Sequence, residues 1–219
     1  VLEMMHEIIY ETKFEDEKRL REIIARIKSR MESNMTGSGH TVAMLSAMAQ
    51  FSPSSYYSDI LRGYQYYEFI EKADRDFDSM KEMLAENLKR TAALIFTKEN
   101  LTVSFTAEDD GLELLQKPMT EFVAKLAQLQ GKDAVRTFRP VKEKTAYTSS
   151  SQVQYVARCG NYRKAGYEYT GALKVLKIIF SYDYLWLNVR VKGGAYGCMS
   201  GFYRNGDTYM VSYRDPNLA

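Results

Sequence analysis

The stretch 188–197 holds the side chains of this sequence that are best suited to act on a substrate. It reads Asn-Val-Arg-Val-Lys-Gly-Gly-Ala-Tyr-Gly, with Arg190 and Tyr196 on either side of Gly193 and Gly194. Arginine offers a planar fork of donors to carbonyl or carboxylate oxygens, and a tyrosine hydroxyl can donate to an oxyanion. Paired glycines also let the backbone approach a ligand closely. These residue types therefore indicate a candidate site that binds substrate oxygens.

The same stretch has two plainer interpretations. A Gly-Gly pair between a helix and a strand is commonly a turn alone, with Arg190 solvated and Tyr196 packed on the sheet. Phosphate binding is disfavoured, because the glycines follow a helix instead of opening one at its positive end. The residue types alone leave both the simple turn and the substrate site open.

Candidate metal ligands are few. A hydrolytic zinc site takes about three protein ligands and an open position for water, whereas the sequence contains 2 histidines, His6 and His40. Neither belongs to a His-x-x-Glu-His motif or its reverse, and a glycine-containing break separates them. We therefore predict structural roles for both histidines, no metal site on this chain, and no complete nucleophilic site.

Composition and charge narrow the class of protein. The 219 residues are 45% hydrophobic and 26% charged, which is typical of a globular protein. A net charge of +2 creates no field that favours nucleic acid or an anionic membrane, so we expect neither as a partner. The isolated cysteines, Cys159 and Cys198, favour a reducing compartment, and a cytoplasmic location is expected.

The two ends of the chain predict a piece of a longer protein. The sequence opens inside a helical pattern at Val1 without an initiator methionine, and it stops at Ala219. Its start does not have the basic and apolar regions of a signal peptide. No apolar run is long enough to span a bilayer.

Helical patterns dominate the first part of the chain. Apolar residues between 20 and 31 recur at helical spacing, with charged residues on the opposite face. Helices are predicted over 20–31, 40–50, 60–70, 77–96 and 112–129, with breaks rich in glycine, serine or proline. One strand is predicted over 101–106, where apolar and hydroxylic residues alternate.

A polar region poor in strand patterns, 131–150, predicts a linker between a first domain over 1–130 and a second over 151–219. In the second domain we predict a strand, a helix and two strands over 153–160, 170–189, 197–203 and 208–213. Asn205-Gly206 between the last two strands is a strong hairpin signal. The predicted fold class is α+β, a helix-rich first part followed by an antiparallel sheet with a covering helix.

Several stretches, taken in order, resemble one known family. They are 14–24, 38–40, 63–67, 151–156 and 182–197. The last is the most specific, since it contains Tyr-Asp-Tyr-Leu-Trp followed by Val-Arg-Val-Lys-Gly-Gly-Ala-Tyr-Gly. The chain resembles the insulinase or pitrilysin group of zinc metallopeptidases, in its presequence-protease-like subfamily.

The resemblance implies a full enzyme of homologous α+β domains in two hinged halves that enclose a chamber for unfolded peptides. The zinc, its inverted His-x-x-Glu-His motif and the general-base glutamate would belong to the N-terminal half, the partner of this chain within the same protein. Residues 1–130 would be the latter part of a third insulinase-type domain, and 151–219 the first part of a fourth.

The resemblance also implies roles for the site residues. Arg190 would hold the substrate backbone near the scissile bond, and Tyr196 would help to stabilise the tetrahedral oxyanion. Gly193 and Gly194 would line the same substrate-binding site. Both catalytic side chains would act across the chamber on a peptide held at the zinc.

The expected function is that of the C-terminal substrate-binding portion of a zinc-dependent metalloendopeptidase, inactive as this fragment alone. The alternative is a noncatalytic binding or structural protein of the same fold, since the family also resembles partners that have lost their metal site. A nucleic-acid or phosphate-binding module is a third interpretation, which the near-neutral charge and the position of the glycines disfavour.

Overall fold

The computed structural model describes residues 1–129, 138–139, 141, 143–149 and 151–217. Much of the predicted linker over 131–150 lies outside the described residues. The chain packs as two compact units: unit 1 is Val1–Ile24 with Ala73–Arg136, and unit 2 is Ala25–Lys72 with Thr137–Ala219. These units do not follow the predicted linear boundary, and the assignment to a third and a fourth insulinase-type domain stays a prediction.

The order of elements confirms the α+β class. The helices are α1 (Leu2–Tyr10), α2 (Glu17–Gly37), α3 (Gly39–Ala49), α4 (Pro53–Arg62), α5 (Tyr64–Arg75), α6 (Phe77–Ile95), α7 (Asp109–Lys125) and α8 (Ala172–Ile179). Helix α8 continues directly as a π-helix over Phe180–Lys192. The strands are β1 (Ala157–Asn161), β2 (Gly197–Phe202) and β3 (Asp207–Tyr213).

The helices of unit 1 bury an apolar seam between α6 and the first part of α2. Ile24 and Phe77 are 5% and 2% exposed, which confirms the apolar face predicted for α2. The Arg21 guanidinium lies 4.3 Å from the centre of the Phe77 ring and 2.6 Å from the Asp78 carboxylate. Charged pairs at the rim of an apolar seam therefore help to join these two helices.

The predicted strand over 101–106 is wrong. These residues form neither a strand nor a β-bridge with another described residue, and Val103 and Phe105 are 47% and 49% exposed. Alternating apolar residues form a strand only where a neighbouring strand accepts and donates its backbone hydrogen bonds. Within the described part of unit 1, the ladder geometry is limited to a single parallel bridge between Thr97 and Ala127.

The helix predicted over 60–70 is in fact two helices that meet at Gly63. The backbone of Gly63 is extended, and the buried Asp59 carboxylate accepts the Tyr64 N–H at 2.9 Å and the Gln65 side-chain amide at 2.8 Å. Asp59 thereby caps the start of α5. A Cβ at Gly63 would collide with this carboxylate, so the junction requires glycine. The helices predicted over 40–50 and 77–96 are confirmed, whereas the one over 112–129 starts earlier and ends at Lys125.

Unit 2 contains an antiparallel sheet with the strand order β1-β3-β2. The central strand pairs Val211 with Ala157 of β1 and with Met199 of β2. The predicted hairpin between β2 and β3 is confirmed, and Gly206 has the positive φ of +97° that such a turn needs. Helix α3 contacts β1 and β3, while α8 and the π-helix contact β2, which confirms the covering helix.

The strand predicted over 153–160 begins later than expected, at Ala157. Upstream, Gln154 forms a single antiparallel bridge with Asp215. The N–H of Val156 donates to the Ser212 side-chain oxygen at 3.3 Å instead of to a backbone carbonyl. This side-chain acceptor interrupts the ladder, and regular pairing starts only one residue later.

Candidate functional site

The stretch 190–196, here called the glycine corner, joins the π-helix to β2. The N–H of Gly194 donates to the Arg190 carbonyl at 2.9 Å, and Gly194 has a φ of +78°. A Cβ on Gly193 would lie 2.6 Å from the Val189 carbonyl oxygen, so this position admits no side chain without a shift of the backbone. Ala195 is buried at 2% exposure. The corner is therefore a tight, fixed turn that sets the direction of the residues on both sides.

The Arg190 guanidinium is held by aromatic rings. Its Cζ lies 4.1 Å from the centre of the Trp186 ring and 5.5 Å from that of Tyr196. Stacking on rings orients a guanidinium while leaving the N–H groups at its edge available. Among the described residues, no side chain or carbonyl forms an ion pair or hydrogen bond with it. Arg190 is thus positioned but retains its donors.

Tyr196 is 65% exposed, and its hydroxyl has no hydrogen-bond partner among the described residues. Its backbone N–H donates to the Arg214 carbonyl at 3.2 Å, which ties it to the end of β3. The structure thus brings together all the residues that the sequence indicated: Arg190, Gly193, Gly194 and Tyr196. Their substrate-binding and catalytic roles stay a prediction.

The electrostatic influence of Arg190 reaches Cys198 on β2. Burial raises the pKa of the Cys198 thiol, and the positive charge of Arg190 opposes that rise. Inspection of single residues did not identify Trp186 as a support for Arg190. The four-residue spacing of an aromatic residue and an arginine in a helix was the available signal.

The described residues do not fit a resident metal ion. Among them there is no group of 3 or more histidine, cysteine, aspartate or glutamate side chains that could hold one. His6 stacks beside Tyr10 in unit 1, with ring centres 4.7 Å apart, and His40 meets the Tyr213 ring edge-on in unit 2. Both histidines therefore take part in aromatic packing. Across the described ranges, no helix is both long and apolar enough to cross a membrane.

Two family models match this chain. Residues 1–72 match the associated domain of peptidase family M16, subfamily C, and residues 144–219 match the "PreP C-terminal domain". The chain belongs to this peptidase family, in its presequence-protease-like group, and represents a C-terminal stretch of such a protein. The resemblance seen in the sequence is thereby confirmed.

Curated relatives extend the similarity over nearly the whole chain. Protein HypA of Clostridium perfringens is 36% identical over 99% of this chain, which covers 22% of that protein. Presequence protease 1, chloroplastic/mitochondrial, of Arabidopsis thaliana is 29% identical over 98% of the chain and 20% of the relative. For presequence protease, mitochondrial, of Xenopus laevis the identity is 24%, over 98% of the chain and 24% of the relative.

The chain therefore spans about a fifth to a quarter of the length of these relatives. Activity, substrates and partners of a whole protein are accordingly matters for proposal. The names of two relatives refer to mitochondria or chloroplasts. The cytoplasmic location expected from the cysteines of this chain stays a prediction.

Proposed function

We propose that this chain is the C-terminal substrate-binding portion of a zinc-dependent metalloendopeptidase that encloses and hydrolyses unfolded peptides. Membership of the peptidase family and the relatives named presequence protease support a peptidase. The zinc and the general base would lie in an N-terminal half of the same protein, because the described residues here form no metal-ligating group.

The observation that carries the proposal is the arrangement of Arg190 and Tyr196 at the glycine corner. The guanidinium lies 5.5 Å from the Tyr196 ring centre, and Tyr196 is 65% exposed. Neither the guanidinium nor the tyrosine hydroxyl is used in a hydrogen bond with another described residue. Two adjacent donors that the fold positions but does not consume are suited to a ligand rich in oxygen.

A peptide supplies such oxygens at every residue. Arg190 donates to a backbone carbonyl of the substrate and fixes its register. When the scissile carbonyl becomes tetrahedral, its oxygen gains negative charge, and the Tyr196 hydroxyl donates to it. Closure of the two halves around the peptide would exclude water and strengthen both interactions.

The test is peptide hydrolysis by the full-length protein that carries this chain, with Arg190→Ala or Tyr196→Phe. Each change should lower turnover about tenfold to a thousandfold, the range for a lost transition-state donor. Bound zinc, measured by elemental analysis, should be unchanged. Arg204→Ala is the matched control, because Arg204 also lies over a tyrosine ring, 5.6 Å from the centre of Tyr169, but outside the glycine corner.

Unchanged turnover in both site variants would refute the proposed roles. The wild-type assay separates the noncatalytic alternative, since a full-length protein that hydrolyses no peptide with zinc present would favour a binding or structural role. The chain by itself should be inactive, because the hydrolytic metal would lie in the N-terminal half.

A further inference from the structure

A row of aromatic rings leads from Tyr196 to the start of α3, and all of its members lie in unit 2. Tyr196 meets Tyr213 with ring centres 6.0 Å apart at an interplanar angle of 63°. Tyr213 in turn receives the edge of the His40 ring at 4.9 Å and 85°. The residues Tyr196, Tyr213 and His40 are here called the aromatic row.

Tyr213 is fixed by its surroundings. It is the last residue of β3 and pairs with Gly197 of β2, where a Cβ would lie 3.7 Å from the Tyr213 Cβ. Its hydroxyl donates to the Gly37 carbonyl at 3.4 Å, at the end of α2. The Tyr155 ring lies 5.6 Å away on centres. The ring therefore has little freedom unless one of these neighbours is removed.

His40 contributes to this row through its ring and not through a hydrogen bond. Its Nδ1 is buried and has no hydrogen-bond partner among the residues that the structure describes. Burial lowers the pKa of His40, which favours the neutral imidazole. An aromatic edge carries partial positive charge and is attracted to the face of a neighbouring ring. The edge-to-face contact with Tyr213 is thus the directional interaction that this side chain makes.

The backbone around His40 is shaped to bring the rings together. The Tyr155 ring covers the neighbouring Gly39 so closely that any Cβ there would collide with it. The Tyr155 hydroxyl donates to the Thr36 carbonyl at 2.7 Å, which anchors the ring at the end of α2. The corner between α2 and α3 and the end of β3 therefore form one packed aromatic cluster.

We infer that His40 is a positioning residue for Tyr196, acting through Tyr213 to hold the Tyr196 hydroxyl in its productive direction. This inference rests on the proposed role of Tyr196 in peptide hydrolysis. Because no described residue binds that hydroxyl, ring contacts with Arg190 and Tyr213 fix its direction. Removing the His40 ring opens space into which Tyr213 can move, and Tyr196 then loses one of its two supports.

A displaced donor impairs catalysis far more than it impairs binding. A shift of about 1 Å at a catalytic group can lower a rate about a hundredfold. Substrate affinity depends on many contacts along the peptide and changes little. Loss of the His40 ring should therefore reduce kcat while KM stays nearly constant.

The experiment is a double-mutant cycle in the full-length protein, with His40→Ala, Tyr196→Phe and their combination. His40→Ala should lower kcat about tenfold with KM within about twofold. In the Tyr196→Phe background the same change should have no further effect, because the hydroxyl that it misplaces is already absent. His40→Phe restores an aromatic edge, so its kcat should return to within about threefold of wild type.

Circular dichroism and thermal melting check that each variant is folded. If His40→Ala does not fold, His40→Leu takes its place, since leucine fills the volume without offering an aromatic edge. His6→Ala is the matched control, because His6 also packs against a tyrosine ring but lies in unit 1. Its activity should stay within about twofold of wild type, as for most changes away from a site.

The outcomes separate the two proposals. Full activity of Tyr196→Phe would overturn the role of Tyr196, and the inference with it. Loss of activity in Tyr196→Phe together with full activity in His40→Ala would overturn only the inference. Multiplicative losses in the double variant, or failure of His40→Phe to recover activity, would show a general structural effect and would equally overturn it.

Discussion

Two arginines in this protein stack on aromatic rings in opposite electrostatic surroundings. In unit 1, Arg21 lies 4.3 Å from the Phe77 ring centre and also binds the Asp78 carboxylate at 2.6 Å. In unit 2, Arg190 lies 4.1 Å from the Trp186 ring centre, and no carboxylate of a described residue pairs with it. The ring contacts are alike, but only Arg21 has its charge neutralised by a neighbour.

This difference shows how the same pair of residue types serves two purposes. An exposed ion pair adds only about 0–1 kcal/mol to stability, and here it joins two helices of unit 1. At the glycine corner, the ring contact orients the guanidinium without occupying its donors. An oriented cation with unused donors is prepared for a ligand.

The largest expected difference between the two arginines concerns activity. Lysine keeps the charge but loses the planar fork and the flat stack on a ring. Arg190→Lys should lower kcat/KM for peptide hydrolysis by the full-length protein about tenfold to a hundredfold. Arg21→Lys, the matched variant, should stay within about twofold of wild type. Equal activities of the two variants would remove the functional distinction.

A second comparison uses two glycines with left-handed backbone, Gly194 with φ +78° and Gly166 with φ +89°. Alanine at either position should lower the free energy of unfolding by about 1–2 kcal/mol, measured in urea, because a Cβ disfavours this conformation. Space is not the limiting factor, since a Cβ on Gly166 meets nothing within 4 Å and one on Gly194 would lie 3.5 Å from Pro216.

The two alanine variants should differ in peptide hydrolysis. Gly194→Ala should lower turnover about tenfold, because the corner directs Arg190 and Tyr196. Gly166→Ala should show a similar loss of stability and wild-type turnover. If Gly166→Ala loses as much activity as Gly194→Ala, the effect comes from stability alone and the corner has no special role.

The smallest expected effect tests the charge of Arg190 itself. This charge opposes the rise in the pKa of the Cys198 thiol that burial causes. Arg190→Ala should therefore raise that pKa further, reduce the thiolate fraction at about pH 8, and slow alkylation of Cys198 by iodoacetamide about twofold to threefold. Mass spectrometry of the labelled peptides gives the rate.

Cys159 is the internal reference for this measurement. Burial raises the pKa of its thiol to about 12, so it should react slowly in both proteins. An unchanged rate at Cys198 would mean that the charge of Arg190 is neutralised after all. The contrast with Arg21 would then disappear.

Sequence patterns predicted the parts of the fold that depend on neighbouring residues. The apolar spacing in α2, the glycine break before α3 and the Asn205-Gly206 turn all act over a few positions, and the structure confirms each of them. The resemblance carried by 182–197 likewise predicted the family. It also indicated Arg190 and Tyr196 as the side chains that flank the glycines of the candidate site.

Predictions failed where an element depends on a distant partner. Residues 101–106 have the alternation of a strand, but no described strand lies beside them. The start of β1 moved to Ala157 because the Ser212 side chain replaces a backbone acceptor. The division into units also escaped prediction, since 25–72 packs with a region much later in the chain.

By itself, the sequence determined the helices, the β2–β3 hairpin, the α+β class and the residues of the candidate site. These features depend on periodicity, turn chemistry and a local motif, all of which can be read along a single stretch. Only the tertiary structure decided that His40 meets Tyr213, that Trp186 and Tyr196 hold Arg190, and that the described residues leave its donors unused. Such contacts arise when packing brings side chains together in three dimensions, and spacing along the chain does not specify them.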